Sequence, residues 1–381
     1  MDYAKAEKNF KSSLLFNNIG NTLVSNIFVV WATEGKGFDG FQISLLTGLI
    51  PIAVLPAVFI WGRVIDKTKK LTEYMIIIHI LNSIFLFLMT NTINFKFFFC
   101  LNFFRNIVIL PASGLNEEYL MNLVQQGKLQ FGRIRMYGTI GYGAAGVLGA
   151  ILLRKISVDK SVLAGIIMLL LSVVFMKRLP KMPVLNMGAK EKRAFSELFR
   201  NEKFMRFLVL SCSIMGVMTA AAGFGLQQSL LNMGCPVEFI GLLPFIMVLM
   251  EILFLRVMDK SNFSEKVIYS VALGICAIRW GVMAIASSYV WIILGCLGRG
   301  IVAGMIMSQQ NRKVGELVEA QYQSTAFLVM SGLLFTIVPS FLNFICGNLM
   351  EIFGYKVIPI CYLIFSIPGI WGILGLVYTK E

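Results

Sequence analysis

The chain has 381 residues, of which 57% are hydrophobic and 14% are charged. Soluble domains carry roughly 25% charged residues, so most of this chain cannot face water, and a soluble globular fold is excluded. The net charge of +14 would suggest nucleic-acid binding in a soluble protein, but Lys and Arg fall mainly in alternate loops here, which is the orientation signal of a membrane protein and not of a nucleic-acid binder.

Apolar runs of about 20 residues, the length that crosses a bilayer as a helix, recur along the whole chain and predict an all-α membrane protein with twelve transmembrane helices. The predicted helices are Ser12–Thr33, Phe41–Trp61, Leu71–Asn91, Phe95–Met121, Gln130–Leu153, Ser161–Met176, Phe204–Leu226, Phe239–Leu255, Val267–Ala286, Val290–Met307, Ser324–Asn348 and Val357–Tyr378. The longest polar interruption, Lys177–Lys203, is rich in Lys and Arg and contains two prolines. We therefore expect a six-helix bundle over residues 1–176, a cytoplasmic linker over 177–203 and a second six-helix bundle over 204–381.

Basic residues follow every second predicted helix and so mark one side of the membrane as cytoplasmic. Besides the linker, these residues are Arg63, Lys67, Lys69, Lys70, Lys128, Arg133, Arg256, Lys260, Lys266, Arg312 and Lys313. The exceptions are Arg154, Lys155 and Lys160, which Asp159 offsets in part. The pattern predicts a multi-pass protein of the plasma membrane with both termini in the cytoplasm.

The two halves repeat one short pattern. Asp66 and Lys67 follow the second predicted helix, and Asp259 and Lys260 follow the eighth. Internal repeats around a central linker are typical of secondary transporters, which place the substrate site between the halves near the middle of the membrane.

Other kinds of site find no support in the sequence. The seven cysteines show no CxxC spacing, and His79 is the only histidine, so we expect no metal centre, no disulfide framework and no cofactor. No Walker A loop or GxSxG elbow is present, which argues against an enzyme and against ATP-driven transport. The first residues, MDYAKAEKNFK, are too polar for a cleavable signal peptide.

Two motifs carry a resemblance to a known family. The loop after the second predicted helix contains Gly62, Asp66, Lys67, Lys69 and Lys70, and the fifth predicted helix begins with FGRIRMYGTIGY. In these motifs the chain resembles the major facilitator superfamily, in the branch that contains lactose permease and the nucleoside–proton symporters. The resemblance implies two pseudo-symmetric six-helix bundles, a monomer, and a gating role for the loop motif.

The resemblance also implies roles for individual residues. Glu117 and Arg135 match the pair that holds the sugar in lactose permease, Tyr142 stands where the stacking tryptophan stands there, and Arg279 matches its proton-linked arginine. Two positions depart from the permease, because Arg299 replaces its histidine and Val302 replaces its proton-carrying glutamate. Ile240 lies near the position of another sugar-binding glutamate, so galactoside specificity is not implied.

The spacing of the residues supports a site around Arg135. Glu117 and Arg135 each lie about five residues inside a predicted helix end, so they reach the same depth on adjacent antiparallel helices and can pair. Arg135 and Tyr142 are seven residues apart and share a helix face. Asn21 belongs to an asparagine-rich face of the first predicted helix and is a further candidate for substrate binding.

The buried charges suggest what the site binds and how it is coupled. Arg105, Arg279 and Arg299 add positive charge within predicted helices, against Glu117 and Glu251, and intramembrane charges need partners. Either Glu251 pairs with an arginine or the substrate supplies negative charge, so we expect a polyhydroxylated substrate, with or without an acidic group. Glu117 and Glu251 are the candidates for proton coupling, with His79 as a weaker one.

The sequence therefore predicts a secondary active transporter that imports a sugar, glycoside or nucleoside with a proton. Two alternatives stay open. One is an efflux antiporter for drugs or metabolites, and the other is a membrane sensor that has lost transport, an idea that Val302 favours.

Overall fold

The computed structural model describes residues 3–68, 70–127, 129–181, 198–260, 263–319 and 323–377, and this part of the chain forms helices and connecting turns without any strand. The helices are α1 Tyr3–Asn26, α2 Phe28–Gly35, α3 Gly40–Ala53, α4 Ala57–Thr68, α5 Leu71–Thr90, α6 Phe95–Ile109, α7 Ala112–Gly127, α8 Phe131–Lys155, α9 Val158–Met176, α10 Glu202–Asn232, α11 Val237–Lys260, α12 Glu265–Ile285, α13 Tyr289–Leu317, α14 Gln323–Gly332, α15 Val338–Phe353, α16 Val357–Ser366 and α17 Pro368–Val377.

The predicted count of twelve membrane-crossing helices is not confirmed. Within the described residues, ten helices are long and apolar enough to cross a bilayer, and an eleventh is obtained by joining α1 and α2, which meet at a bend of 47°. The second predicted span is divided between two shorter helices, because α3 ends at Ala53 and a turn separates it from α4. Pro56 closes that turn, since proline lacks an N–H donor and disfavours helical backbone at the residue before it. The all-α membrane fold is confirmed.

Contacts along the chain define two compact units of similar size. The first unit comprises Met1–Gln42, Ile50–Met187 and Val237–Phe245, and the second comprises Ile43–Leu49, Gly188–Pro236 and Ile246–Glu381. Two short segments, from α3 and α11, are thus grouped with the opposite half of the sequence. The division predicted from the sequence, with the linker over 177–203, stays a prediction, and most of that linker lies outside the described residues.

Helix α1 is the centre of the first unit, where it packs along α8 and α9. The contact with α8 depends on Gly141, because a Cβ atom at this position would lie 2.6 Å from the backbone oxygen of Leu15. Small residues let helix backbones approach this closely in membranes, where packing replaces the hydrophobic effect as the force between helices. The fifth predicted helix is therefore held against the first one where the candidate site begins.

Helices α11 and α13 make a similar close contact in the second unit. A Cβ atom at Gly300 would lie 2.3 Å from the backbone oxygen of Met247, and one at Gly304 would lie 2.6 Å from that of Glu251. Gly300 and Gly304 are one helical turn apart and so form a small-residue stripe along α13. This stripe fixes Glu251 and Arg299, which lie beside it, on two adjoining helices.

A polar cluster joins three helices at the end of α2. The Nζ atom of Lys36 lies 2.8 Å from Oδ1 of Asp159 and 2.7 Å from the backbone oxygen of Thr90. The indole of Trp31 donates to the same carboxylate oxygen at 2.7 Å. The sequence suggested that Asp159 offsets the neighbouring basic residues of its own loop, whereas the structure pairs it with Lys36 from a distant part of the chain.

Candidate functional site

Arg135 and Glu117 form an ion pair between α8 and α7 in the first unit. The Nε atom of Arg135 lies 3.2 Å from Oε1 of Glu117, and the two side chains are 44% and 48% exposed. Both residues lie within helical segments that are apolar enough to cross the membrane. The pairing that equal depth in the two helices predicted is therefore present, and the exposed surface of both side chains leaves room for a ligand.

The side chains around this pair come from α1 and α8. Gly138 leaves room for the side chains of Arg135 and Asn18. A Cβ atom at this position would lie 2.8 Å from Nη1 of Arg135 and 3.3 Å from Nδ2 of Asn18. Tyr142, one turn further along α8, is half-buried. Asn18 thus joins the candidate site, although the sequence gave it only the weak signal of an asparagine-rich helix face.

Asn21, also on α1, is held by a neighbour. Its Nδ2 donates to Oδ1 of Asn17 at 2.8 Å. Asn21 follows Asn17 by four residues and Asn18 by three, so it shares a side of α1 with each of them. The described contacts do not join Asn21 directly to the Glu117–Arg135 pair, and its predicted role in binding stays a prediction.

Arg105 is held by amide oxygens of the first unit. Its Nε donates to Oδ1 of Asn82 at 2.9 Å and its Nη1 to Oδ1 of Asn102 at 3.4 Å. Neutral amides satisfy its N–H groups without cancelling its charge. The structure therefore gives Arg105 a fixed position between α5 and α6, and the predicted contact with substrate is untested.

Arg279 lies on the buried side of α12 in the second unit. The side chain is 3% exposed, and none of its three guanidinium nitrogens has a hydrogen-bond partner within the described part of the chain. Its guanidinium carbon lies 4.6 Å from the centre of the Trp280 ring. Arg299 is close enough to repel it electrostatically, as the comparable depth of the two residues predicted.

Arg299 and Glu251 lie at the contact between α11 and α13. The Nη1 atom of Arg299 lies 2.8 Å from Sδ of Met247, one turn before Glu251. Both Arg299 and Glu251 are half-buried. The guanidinium of Arg279 has no hydrogen-bond partner among the described residues, and the two alternatives raised by the sequence, pairing of Glu251 with an arginine and negative charge from the substrate, both stay predictions.

The remaining candidates are described only in part. The surroundings of Gly62, the side chain of Asp66 and the whole of Lys69 lie outside the described part of the chain, whereas Lys67 and Lys70 are exposed. Lys70 forms an ion pair with Glu73 at 3.5 Å. His79 is fully buried, with Nδ1 2.7 Å from the backbone oxygen of Met75, while its Nε2 has no hydrogen-bond partner among the described residues.

The whole chain is similar to known membrane transporters. The sequence profile of the MFS_1 like family matches residues 32–358. The chain is similar to the uncharacterized transporter YwbF of Bacillus subtilis (strain 168), with 23% identity over 378 residues that cover 95% of this chain and 90% of the relative. It is also similar to the maltose permease of Geobacillus stearothermophilus, with 22% identity over 355 residues that cover 92% and 89%.

Solved structures give the same fold at lower identity. A mutant of the nucleoside transporter NupG has a TM-score of 0.81 and 17% identity, with coverage of 98% of this chain and 100% of that one. A POT family transporter in complex with 5-aminolevulinic acid has a TM-score of 0.75 and 12% identity, with coverage of 98% and 96%.

Proposed function

The chain belongs to the MFS_1 like family and is a multi-pass membrane transporter, and we propose that it imports a sugar, glycoside or nucleoside together with a proton by alternating access. The single observation that carries the proposal is the half-exposed ion pair of Glu117 and Arg135 at membrane depth. A charged pair exposed to hydrocarbon would be costly, so it faces water or ligand. A guanidinium and a carboxylate side by side offer both donors and acceptors to the hydroxyl groups of a sugar.

Tyr142 completes the site on the same helix. An aromatic ring can stack on the apolar face of a sugar or on a nucleobase, whose hydroxyl or amide groups then reach Arg135 and Glu117. The names of two similar proteins, a maltose permease and a nucleoside transporter, support this substrate class. Asn18, whose Nδ2 donates to the backbone oxygen of Leu14, lies beside the site on α1, and Asn21, whose Nδ2 donates to Asn17, is a further proposed binding residue.

Glu251 is the proposed carrier of the coupling proton. It is half-buried on α11 and lies where Gly300 and Gly304 bring α13 close. A carboxyl in an apolar helix contact can take up and release a proton as its surroundings change during transport. Val302, which replaces the proton-carrying glutamate of lactose permease, is fully buried on α13 and leaves this role to Glu251.

The proposal includes the orientation and location that the sequence predicts. Alternate loops rich in Lys and Arg support cytoplasmic termini. Residence in the plasma membrane and a monomer with bundles over 1–176 and 204–381 are further parts of the proposal. The gating role of Gly62, Asp66, Lys67, Lys69 and Lys70 belongs to the same proposal.

Uptake into proteoliposomes tests this function. The purified protein is reconstituted, an inward proton gradient is imposed, and accumulation of radiolabelled maltose, uridine and a panel of glycosides is measured. We expect accumulation of at least one of these solutes that collapses when a protonophore is added. Export driven by an opposite gradient would favour an efflux antiporter, and binding without any flux would favour a sensor; either result would overturn the proposal.

A further inference from the structure

Arg279 is a cation on the buried side of α12, where the other side chains are mainly apolar. The buried residues of this helix are Ile268, Tyr269, Ala272, Leu273, Cys276, Arg279, Trp280 and Met283. This stripe faces the interior of the second unit, and Arg279 lies in the middle of it. A guanidinium keeps its charge at any accessible pH, so its charge cannot be avoided by losing a proton.

The guanidinium of Arg279 contacts the face of the Trp280 ring but has no hydrogen-bond acceptor among the described residues. Nε, Nη1 and Nη2 all lack a hydrogen-bond partner among the described residues, whereas Arg105 has two amide partners and Arg135 has a carboxylate. Arg299 adds electrostatic repulsion. Removing the partner of a buried charge is strongly destabilising, so a second component is needed to balance Arg279.

A buried hydrogen-bond donor lies beside the guanidinium. The indole N–H of Trp280 is a donor only and has no partner in the described part of the chain. The thiols of Cys276 and Cys296 lie within electrostatic range of the guanidinium, and the Cys296 thiol donates to the backbone oxygen of Ile292 at 3.4 Å. Tyr362, whose ring lies 5.1 Å from that of Trp280, has a buried hydroxyl without a partner there. A set of donors around an unbalanced cation is the chemistry of an anion site.

The site is enclosed and therefore limits the size of the anion. Arg279 is 3% exposed, and the position that a Cβ of Gly295 would take lies 3.5 Å from its Cγ. A compact monovalent anion fits such surroundings better than a phosphate ester, whose further oxygens would find no solvent.

We propose that Arg279, with Trp280 beside it, forms the core of an anion-binding site inside the second unit. The ligand is a compact monovalent anion, either a free chloride ion or the carboxylate of an acidic solute. The site goes beyond the proposed uptake of sugars or nucleosides. It is tested by anion binding alone, so a failure to detect uptake would not contradict it.

Thermal unfolding of the purified protein in lipid nanodiscs tests the site. Melting temperatures are measured at constant ionic strength while sodium isethionate, a bulky anion, is replaced by sodium chloride. A ligand that binds only the folded state raises the melting temperature in a saturable way. We expect chloride to raise it by at least about 2 °C. In a chloride-free arm, sodium acetate is compared with acetamide, which is neutral and of similar size; a rise with acetate alone assigns the site to a carboxylate.

Arg279→Gln is expected to abolish the saturable rise. The matched control is Arg206→Gln, because Arg206 also lies over a tryptophan, 5.2 Å from the Trp371 ring, but has Glu202 as its partner. This control should keep the full anion response. Should Arg279→Gln not fold, Arg279→Lys keeps the charge and loses the planar fork, and half-saturation should then require at least tenfold more anion.

Two results would overturn the proposal. One is a wild-type protein whose melting temperature is the same in isethionate, chloride and acetate. The other is an Arg279 variant that responds to the anion as the wild-type protein does.

Discussion

The Nε atom of Arg135 lies 3.2 Å from Oε1 of Glu117, and each side chain keeps more than two fifths of its surface exposed. Exposed ion pairs contribute about 0–1 kcal/mol to stability, so this pair is better explained by ligand binding than by folding. That difference between function and stability can be measured.

Arg135→Gln and Glu117→Gln should each lower substrate uptake at least tenfold while the melting temperature changes by no more than about 2 °C. The reason is that the pair contributes little to stability, whereas loss of a charged hydrogen bond to a ligand costs roughly 1.5–3 kcal/mol. Uptake into proteoliposomes and thermal unfolding measure the two effects. Arg133→Gln is the control, because Arg133 is an exposed cation two residues earlier in α8, and this variant should retain uptake. An equal loss of uptake in this variant would contradict a specific role for Arg135.

Glu251→Gln should abolish accumulation against a gradient and spare exchange of substrate across the membrane. The amide cannot release a proton, but the site can still bind and reorient. Counterflow and proton-driven uptake are measured on the same proteoliposomes. Glu238→Gln, in the first turn of the same helix, should leave both activities intact. Unchanged accumulation by Glu251→Gln would remove this residue from the coupling mechanism.

Gly141→Ala should destabilise the first unit by about 1–3 kcal/mol, the usual range for overpacking, because the new methyl would meet the backbone oxygen of Leu15 at 2.6 Å. Gly114→Ala is the matched control on α7, since no atom lies within 4 Å of the position of its Cβ. That control should be neutral or slightly stabilising, as alanine favours a helix more than glycine does. The melting temperatures of the two variants test this prediction. Equal values would contradict the close approach of α1 and α8.

Asp159→Ala should lower stability by about 2–4 kcal/mol. Lys36, whose side chain is 2% exposed, would lose its carboxylate partner, and the indole of Trp31 would lose its acceptor. The double variant Lys36→Met with Asp159→Ala should cost less than the sum of the two single changes, because no buried charge is then left unpaired. Unfolding measurements on the three variants test this, and additive costs would contradict a direct pairing.

The ion pairs of Lys313 should stabilise the folded protein up to an unusually high pH. Partial burial opposes its charge, but the carboxylates of Glu265 and Glu316, with Nζ at 2.7 and 3.2 Å, outweigh that effect and raise the pKa of Lys313. A raised pKa in the folded state means that the contribution is complete below the unfolded pKa of about 10.4 and is lost as pH rises through the higher folded value.

The comparison of wild-type protein with Lys313→Met isolates this effect. The difference in melting temperature between the two should be constant from pH 8 to pH 10 and should shrink only above that range. Lys356→Met, an exposed lysine of the same unit, is the control and should show no such change. A difference that already disappears below pH 10 would contradict the raised pKa.

Much of the fold follows from the sequence because its causes are local. Long apolar runs with few charges specify helices that cross a bilayer, and the described helices cover the predicted spans, although several spans are divided between two helices, as the second is between α3 and α4. Pro56 lies in that span, and its effect on the helix could have been predicted. The Glu117–Arg135 contact was also predictable, because a short loop between antiparallel helices brings residues at equal distance from it to the same depth.

The partners of the other charges depended on tertiary structure. The spacing of residues in the sequence does not indicate that Lys36 pairs with Asp159 or that Arg105 binds amide oxygens. Nor does it indicate that Arg279 contacts Trp280 and, within the described part of the chain, no hydrogen-bond acceptor. Such pairings are set by how helices far apart in sequence rotate and slide against one another, which small residues such as Gly141 and Gly300 fix through close backbone contact. The sequence by itself determined that this protein lies in a membrane as helices with buried charges; only the tertiary structure decided which of those charges are balanced, because balance requires atoms within a few ångströms of each other.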